Sequence, residues 1–215
     1  MWIGAHTWWA EDLIHEGGLG LVRAIVLAAS LGYVASWCSA RARGLRRDAG
    51  YVLLAIGLGT GIVGLLKQLT HMACPWDLTE FGGTYPFVSL LSLRPPGAAD
   101  VACFPGAHAS GGFALMCFYF VLRDRRPRAA RVLLLLGILT GAVFAFGQEA
   151  RGAHFLSHDL TSAAIVWFAQ LALYVGLRAP RDASTVRRWK LASVRMPPIW
   201  PPTRARAADA DSAAS

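Results

Sequence analysis

The chain is short of charge. Only 16% of its 215 residues are Asp, Glu, Lys or Arg, against about 25% in an average soluble domain. That shortage excludes a disordered or coiled-coil chain and argues against an ordinary soluble domain. Acids are the scarcer sign, 13 against 21 Lys and Arg, and they form no Asp/Glu cluster suited to Mg²⁺. No Gly-rich nucleotide loop precedes a Lys-Ser/Thr pair. The amino terminus lacks a basic n-region and is interrupted by Glu11, Asp12 and Glu16, so it does not read as a signal peptide. No internal repeat is visible.

What the chain has instead is apolar length, with 55% hydrophobic residues. Ala24–Ala40, Ala49–Leu66, Ala109–Leu122, Val132–Gln148 and Leu160–Leu177 run without a charged side chain for 17, 18, 14, 17 and 18 residues. A bilayer core asks for about 20 apolar residues, within a range of roughly 17–25. Four stretches reach that range with their flanks; the third needs Cys103–His108 or shielding by protein. Five such runs leave no chain to bury them against, so lipid is the expected solvent. The expected fold is all-α, an integral membrane helical bundle of about five transmembrane helices.

Basic residues set the orientation. Arg41–Asp48, Arg123–Arg131 and the tail from Arg178 onward hold 17 of the 21 Lys and Arg. These joints follow the first, third and fifth spans, so they share a side, which the positive-inside rule makes cytoplasmic. The amino terminus, Lys67–His108 and Gln148–Asp159 then face outward. The formal net charge of +8 therefore records topology, and no nucleic-acid partner is expected. Basic runs such as Arg123–Arg128 would attract acidic membrane lipids.

Three regions follow. Residues 1–20, with Trp2, Trp8 and Trp9, read as an amphipathic interfacial segment. Residues 21–180 form the membrane-embedded domain. Residues 181–215 are basic and rich in Pro and Ala, cannot bury an apolar face, and are expected to be disordered. Cys38 and Cys117 fall within spans as buried apolar residues. Cys74 and Cys103 share an outer segment, where an oxidising compartment would allow a disulfide; two free thiols are the alternative.

The outer segments gather the chemistry. They read Lys67-Gln68-Leu69-Thr70-His71-Met72-Ala73-Cys74-Pro75-Trp76-Asp77-Leu78, then Cys103-Phe104-Pro105-Gly106-Ala107-His108-Ala109-Ser110, then Arg151-Gly152-Ala153-His154-Phe155-Leu156-Ser157-His158-Asp159. Four of the six histidines lie here, and ionisable residues at membrane depth are functional candidates. Each also has an ordinary reading: Lys67 can snorkel to headgroups, and His108 can cap a helix. Pro105-Gly106-Ala107 would leave free backbone N–H groups at a helix start, a ready anion site. His154 and His158 are four apart and would share one helix face with Arg151 nearby. A zinc hydrolase would want a Glu between such a pair, so no metal is expected. Cations and helix N–H donors suit a tetrahedral anion. One His can attack phosphorus while another protonates the leaving oxygen. The residues thus point to a metal-independent, cofactor-free phosphoryl-transfer site facing outward.

These segments resemble the three signature motifs of the type 2 phosphatidic acid phosphatase superfamily, which includes the vanadium haloperoxidases. That family reads Lys, six residues, Arg-Pro; then Pro-Ser-Gly-His; then Ser-Arg, five residues, His, three residues, Asp. The resemblance covers roughly Arg23–Leu177. Cys-Pro-Trp-Asp-Leu, Cys-Phe-Pro and Arg-Gly-Ala-His-Phe-Leu-Ser-His resemble one bacterial inner-membrane branch. It implies that Lys67 is a phosphate ligand, His108 the general acid, and His154 the nucleophile that becomes phosphohistidine. Gly106 and Ala107 stand where Ser-Gly is usual and would bind phosphate through their backbone. The first-motif Arg is replaced by Cys74. The Arg six residues before the nucleophile is replaced by Gln148, with Arg151 the expected substitute ligand. The slot of the orienting Asp, four residues after His154, holds His158; His158 is the expected orienting group and Asp159 the alternative. The family has six spans, with Met1–Gly20 here where its first helix would end, implying a shortened first helix or a start at an internal Met.

The implied activity is hydrolysis of a lipid phosphate monoester or pyrophosphate at the periplasmic face of a bacterial inner membrane. A lipid phosphotransferase using the same intermediate and a non-catalytic protein binding anionic lipid are the alternatives.

Overall fold

The computed structural model describes residues 7–90, 92–93 and 101–178. The expected disordered tail, 181–215, lies outside the described residues. The described chain is all helical, as expected, with α1 Gly17–Cys38, α2 Arg46–Thr70, α3 Ala107–Phe113, α4 Cys117–Leu122, α5 Pro127–Arg151 and α6 Leu156–Leu177. A π-helical stretch, Trp9–Glu16, runs straight into α1. Three-residue-per-turn segments join α1 to α2 (Ala40–Leu45) and α3 to α4 (Ala114–Met116).

The helix limits follow local chemistry. Pro127 opens α5 at its first turn, where a missing N–H costs nothing and the fixed φ is already helical. Gly152 closes α5 at φ 79°, the left-handed conformation that glycine adopts without a Cβ penalty. His71 closes α2 in the same region of backbone space, at φ 48°.

Among the described residues, four helical stretches are long and apolar enough to cross a membrane: Trp9–Cys38, Ala40–Asp77, Pro127–Arg151 and Leu156–Leu177. The third apolar run, Ala107–Leu122, is shorter and survives by shielding. Ala109, Phe113, Ala114, Met116, Cys117 and Phe120 along it are all buried. Its closest neighbour is α5: a Cβ added to Gly112 would lie 2.7 Å from the Cα of Gly141, so the two backbones touch. Leu27, Leu58, Leu139 and Phe168 on the long helices are exposed. A belt of that kind suits lipid rather than water. The chain is a membrane protein.

In lipid, helices are held by close packing and interhelical hydrogen bonds rather than by escape from water. Phe120 is fully buried, with its ring centroid 5.1 Å from Trp167 and 5.4 Å from Tyr174. Tyr51 donates to the Gln170 carbonyl at 2.8 Å, and the Gln170 amide donates to the Ala114 carbonyl at 2.7 Å. Bonds of this type are worth about 0.6 kcal/mol each on average in a membrane bundle.

The two ends of the bundle differ. At one end Arg125 pairs with Asp48 at 2.6 Å, and the Tyr174 hydroxyl donates to Asp124 at 2.8 Å. The opposite end carries the last turns of α2 and α5 and the first turns of α3 and α6, hence Lys67, Arg151, His108 and His158.

A disulfide joins Cys74 to Cys103, with Cα atoms 5.2 Å apart and a sequence separation of 29. Its loop is sewn to the rest by backbone bonds. Cys103 N–H donates to the Met72 carbonyl and Trp76 N–H to the Gly152 carbonyl, both at 2.9 Å. The Thr70 hydroxyl donates to the Phe104 carbonyl. Closing a loop of this length stabilises by about 2–4 kcal/mol. Purified protein in detergent is therefore expected to melt several degrees lower in reductant, and the Cys74→Ser, Cys103→Ser variant should melt low with or without it.

Candidate active site

The site assembles where α5 ends and α6 begins. Gly152 turns the chain out of α5, and the residues from Ala153 to Phe155 run without helical structure before Leu156 starts α6. His154 therefore precedes the helix. Its ring is buried, 6% exposed, and its Nδ1 donates to Asp159 Oδ1 at 2.7 Å. A carboxylate can only accept, so the Nδ1 proton is fixed and the Nε2 lone pair is left available.

This corrects the expected orienting residue. His158 makes no hydrogen bond to His154; the rings stand 5.9 Å apart between centroids. The i, i+4 expectation assumed a helix through His154. Because α6 starts two residues later, Asp159 at i+5 is the group that reaches back. His158 is instead wedged edge-on against Phe104 and Phe155, at 5.3 and 5.4 Å. Its ring is 1% exposed, and its Nδ1 finds no hydrogen-bond partner among the described residues.

Gly106, at the N-cap of α3, is a second correction. Its N–H donates to the His158 carbonyl at 3.1 Å, so it is not a free donor for phosphate. Its lack of a side chain matters more. A Cβ there would lie 2.1 Å from Asp159 Oδ1 and 2.8 Å from His154 Nδ1. The residue makes room for the His–Asp pair. Ala107 is the first residue of α3.

His108 follows in the same turn. Its ring stacks on Phe144 at 4.8 Å, and both its nitrogens are buried without a well-formed hydrogen bond among the described residues, the backbone of Ile14 being the polar group near the ring. Such atoms are costly, about 1–3 kcal/mol each, and at a site they mark where a polar ligand belongs. His154 and Arg151 lie within electrostatic range of His108, and Lys67 and His154 within range of His158. Lys67, His108, Arg151, His154 and His158, far apart in sequence, thus share one end of the bundle. Arg151 is not idle there: its Nη2 lies 3.4 Å from Glu11 Oε1.

Two members of the cluster carry no motif in the sequence. Glu11 is one. His15 is the other, with its Nδ1 2.9 Å from Gln148 Nε2 and its ring 4.5 Å from that of His108. Both come from the π-helical stretch that the sequence reads as merely interfacial. A signal was available: Gln148 sits in a slot where a cation is expected, which asks for a substitute from elsewhere.

A family model described as the PAP2 superfamily matches residues 48–181. No curated protein and no solved structure matches the chain.

Proposed function

The chain belongs to the PAP2 superfamily, which supports a phosphatase-type function in general terms, and from that premise we propose that it hydrolyses a lipid phosphate monoester or pyrophosphate through a phosphohistidine. The observation that carries this reading is the buried His154–Asp159 hydrogen bond beside the unpartnered nitrogens of His108. His154 Nε2 attacks phosphorus; the N–P bond forms and the bond to the leaving oxygen breaks. His108, once it takes up a proton beside the bound phosphate anion, gives that oxygen its proton. Asp159 holds Nδ1–H and balances the positive charge that grows on the ring. Water then attacks the phosphohistidine, passes a proton back to His108 and releases phosphate, restoring both residues. Lys67 and Arg151 supply positive charge to the phosphoryl oxygens. The segregation of basic joints supports an outward site, which in a bacterium is the periplasmic face of the inner membrane.

Phosphate release from phosphatidate, phosphatidylglycerophosphate, undecaprenyl pyrophosphate and lipid A in one detergent tests the reading. At least one should be cleaved without added metal. No release from any of them, with no labelled phosphoenzyme, would overturn it. Product that forms only when an acceptor lipid is added would make the protein a phosphotransferase. Gln148 in a slot where a cation is expected, with Glu11 3.4 Å from Arg151, thins the phosphate clamp and leaves one further reading, binding of anionic lipid without turnover. Salt-sensitive lipid retention with no phosphate release is its signature.

A further inference from the structure

The matched family region begins at residue 48, so nothing in it assigns a role to the π-helical stretch ahead of α1. Yet that stretch is built against the site. Ile14 is so close to α5 that a Cβ on Gly147 would lie 2.5 Å from its Cγ2, and Trp9 stacks over Phe146 with centroids 6.0 Å apart. These contacts bring the next residue, His15, onto Gln148.

The pairing fixes the chemistry of the ring. Gln148 is buried, 4% exposed, and its Nε2 can only donate. His15 Nδ1 is therefore the acceptor, and a neutral His15 carries its proton on Nε2. That ring lies 4.5 Å from His108 and within electrostatic range of Arg151 and His154. The acid nearest its Nε2 is Glu16, at 3.8 Å, beyond hydrogen-bonding distance. The donor thus makes no hydrogen bond among the described residues and has only this looser charge contact with Glu16.

We propose that His15 is a phosphate-contacting residue of this site, delivered by the segment before α1, and that Gln148 is the residue that positions it. Gln148 occupies the slot of a missing cation and cannot itself neutralise phosphate. It holds a second side chain that can present an N–H and take up a proton against an anion. The assignment rests on the phosphatase reading above and adds a ligand to it.

The test uses the full chain in detergent and inorganic phosphate as competitor. Removing one charge-assisted hydrogen bond to phosphate weakens binding roughly 10- to 100-fold. His15→Ala is expected to raise KM for the cleaved lipid and the inhibition constant of inorganic phosphate by that factor, with kcat changing less. Adding Gln148→Arg in the same chain should recover both values, because the cation then stands in the slot directly. His15→Gln, which keeps a polar side chain of similar reach, serves if His15→Ala fails to fold, with the same expectation at smaller size. Unchanged KM and phosphate inhibition in an active His15 variant would overturn the assignment while leaving the phosphatase reading intact. So would a loss confined to kcat, or one that Gln148→Arg fails to recover, either of which makes His15 a packing residue. A wild-type protein that cleaves no lipid phosphate overturns both.

Discussion

Phosphate release by His154→Ala is expected to fall to background, and the labelled phosphoenzyme to disappear with it. Removing an attacking nucleophile costs on the order of 10⁴–10⁶-fold in turnover, because no neighbour can take over the covalent step. His158 cannot: its ring is packed between Phe104 and Phe155 and lies 5.9 Å from that of His154. His108 is the acid proposed above for the leaving group. The substitution also strands Asp159, a carboxylate 1% exposed, without the hydrogen bond it makes at 2.7 Å. Its thermal melt should therefore be followed in parallel, with His154→Gln as a variant that keeps a donor near the carboxylate. Retained phosphate release in either folded variant would remove His154 from the chemistry.

The second large effect separates Asp159 from His158. Asp159→Asn keeps the shape of the residue but removes the charge and the obligate acceptor. Nδ1–H is then no longer enforced, and a share of the rings carries the proton on the attacking nitrogen. A loss of about 10²–10⁴-fold in kcat is expected, with little change in KM. His158→Ala leaves the His154–Asp159 bond in place and removes a ring that packs against Phe104 and Phe155. It should lower the melting temperature more than it lowers kcat. The opposite ranking would return the orienting role to His158.

The spans were legible because they are defined by what is missing from them. A run of 17 or 18 residues without charge has few ways to fold other than as a helix in lipid. Even the short third run carried its own explanation, since a helix too short for the bilayer has to be surrounded by others. The clustering of the candidate residues was legible for a related reason. Lys67, His108, Arg151 and His154 are polar residues at the edges of apolar runs, and the alternation of the helices brings those edges to one end.

What was not legible was local geometry. Whether Asp159 or His158 meets His154 depends on where α6 starts, a matter of one or two residues set by Gly152 at φ 79°. Helical periodicity says nothing across such a turn. Gly106 offered two properties, a free amide and a missing side chain, and only the packing against Asp159 reveals that the second matters. His15 and Glu11 were hidden differently. They belong to no motif, and the contact that brings His15 to Gln148 spans 133 residues of chain. Only the close fit of Ile14 against Gly147 makes it.

The bridge between Cys74 and Cys103 imposes an order on how the protein matures. It ties the end of α2 to the segment that carries Gly106 and His108, and it can form only in an oxidising compartment. With the outward orientation proposed above, the loop closes after its residues have crossed the membrane. Newly inserted chains would pass through a stage in which every helix is in place and the catalytic end is still open. Production in a reducing cytosol or a cell-free system without a thiol oxidant would collect that immature form.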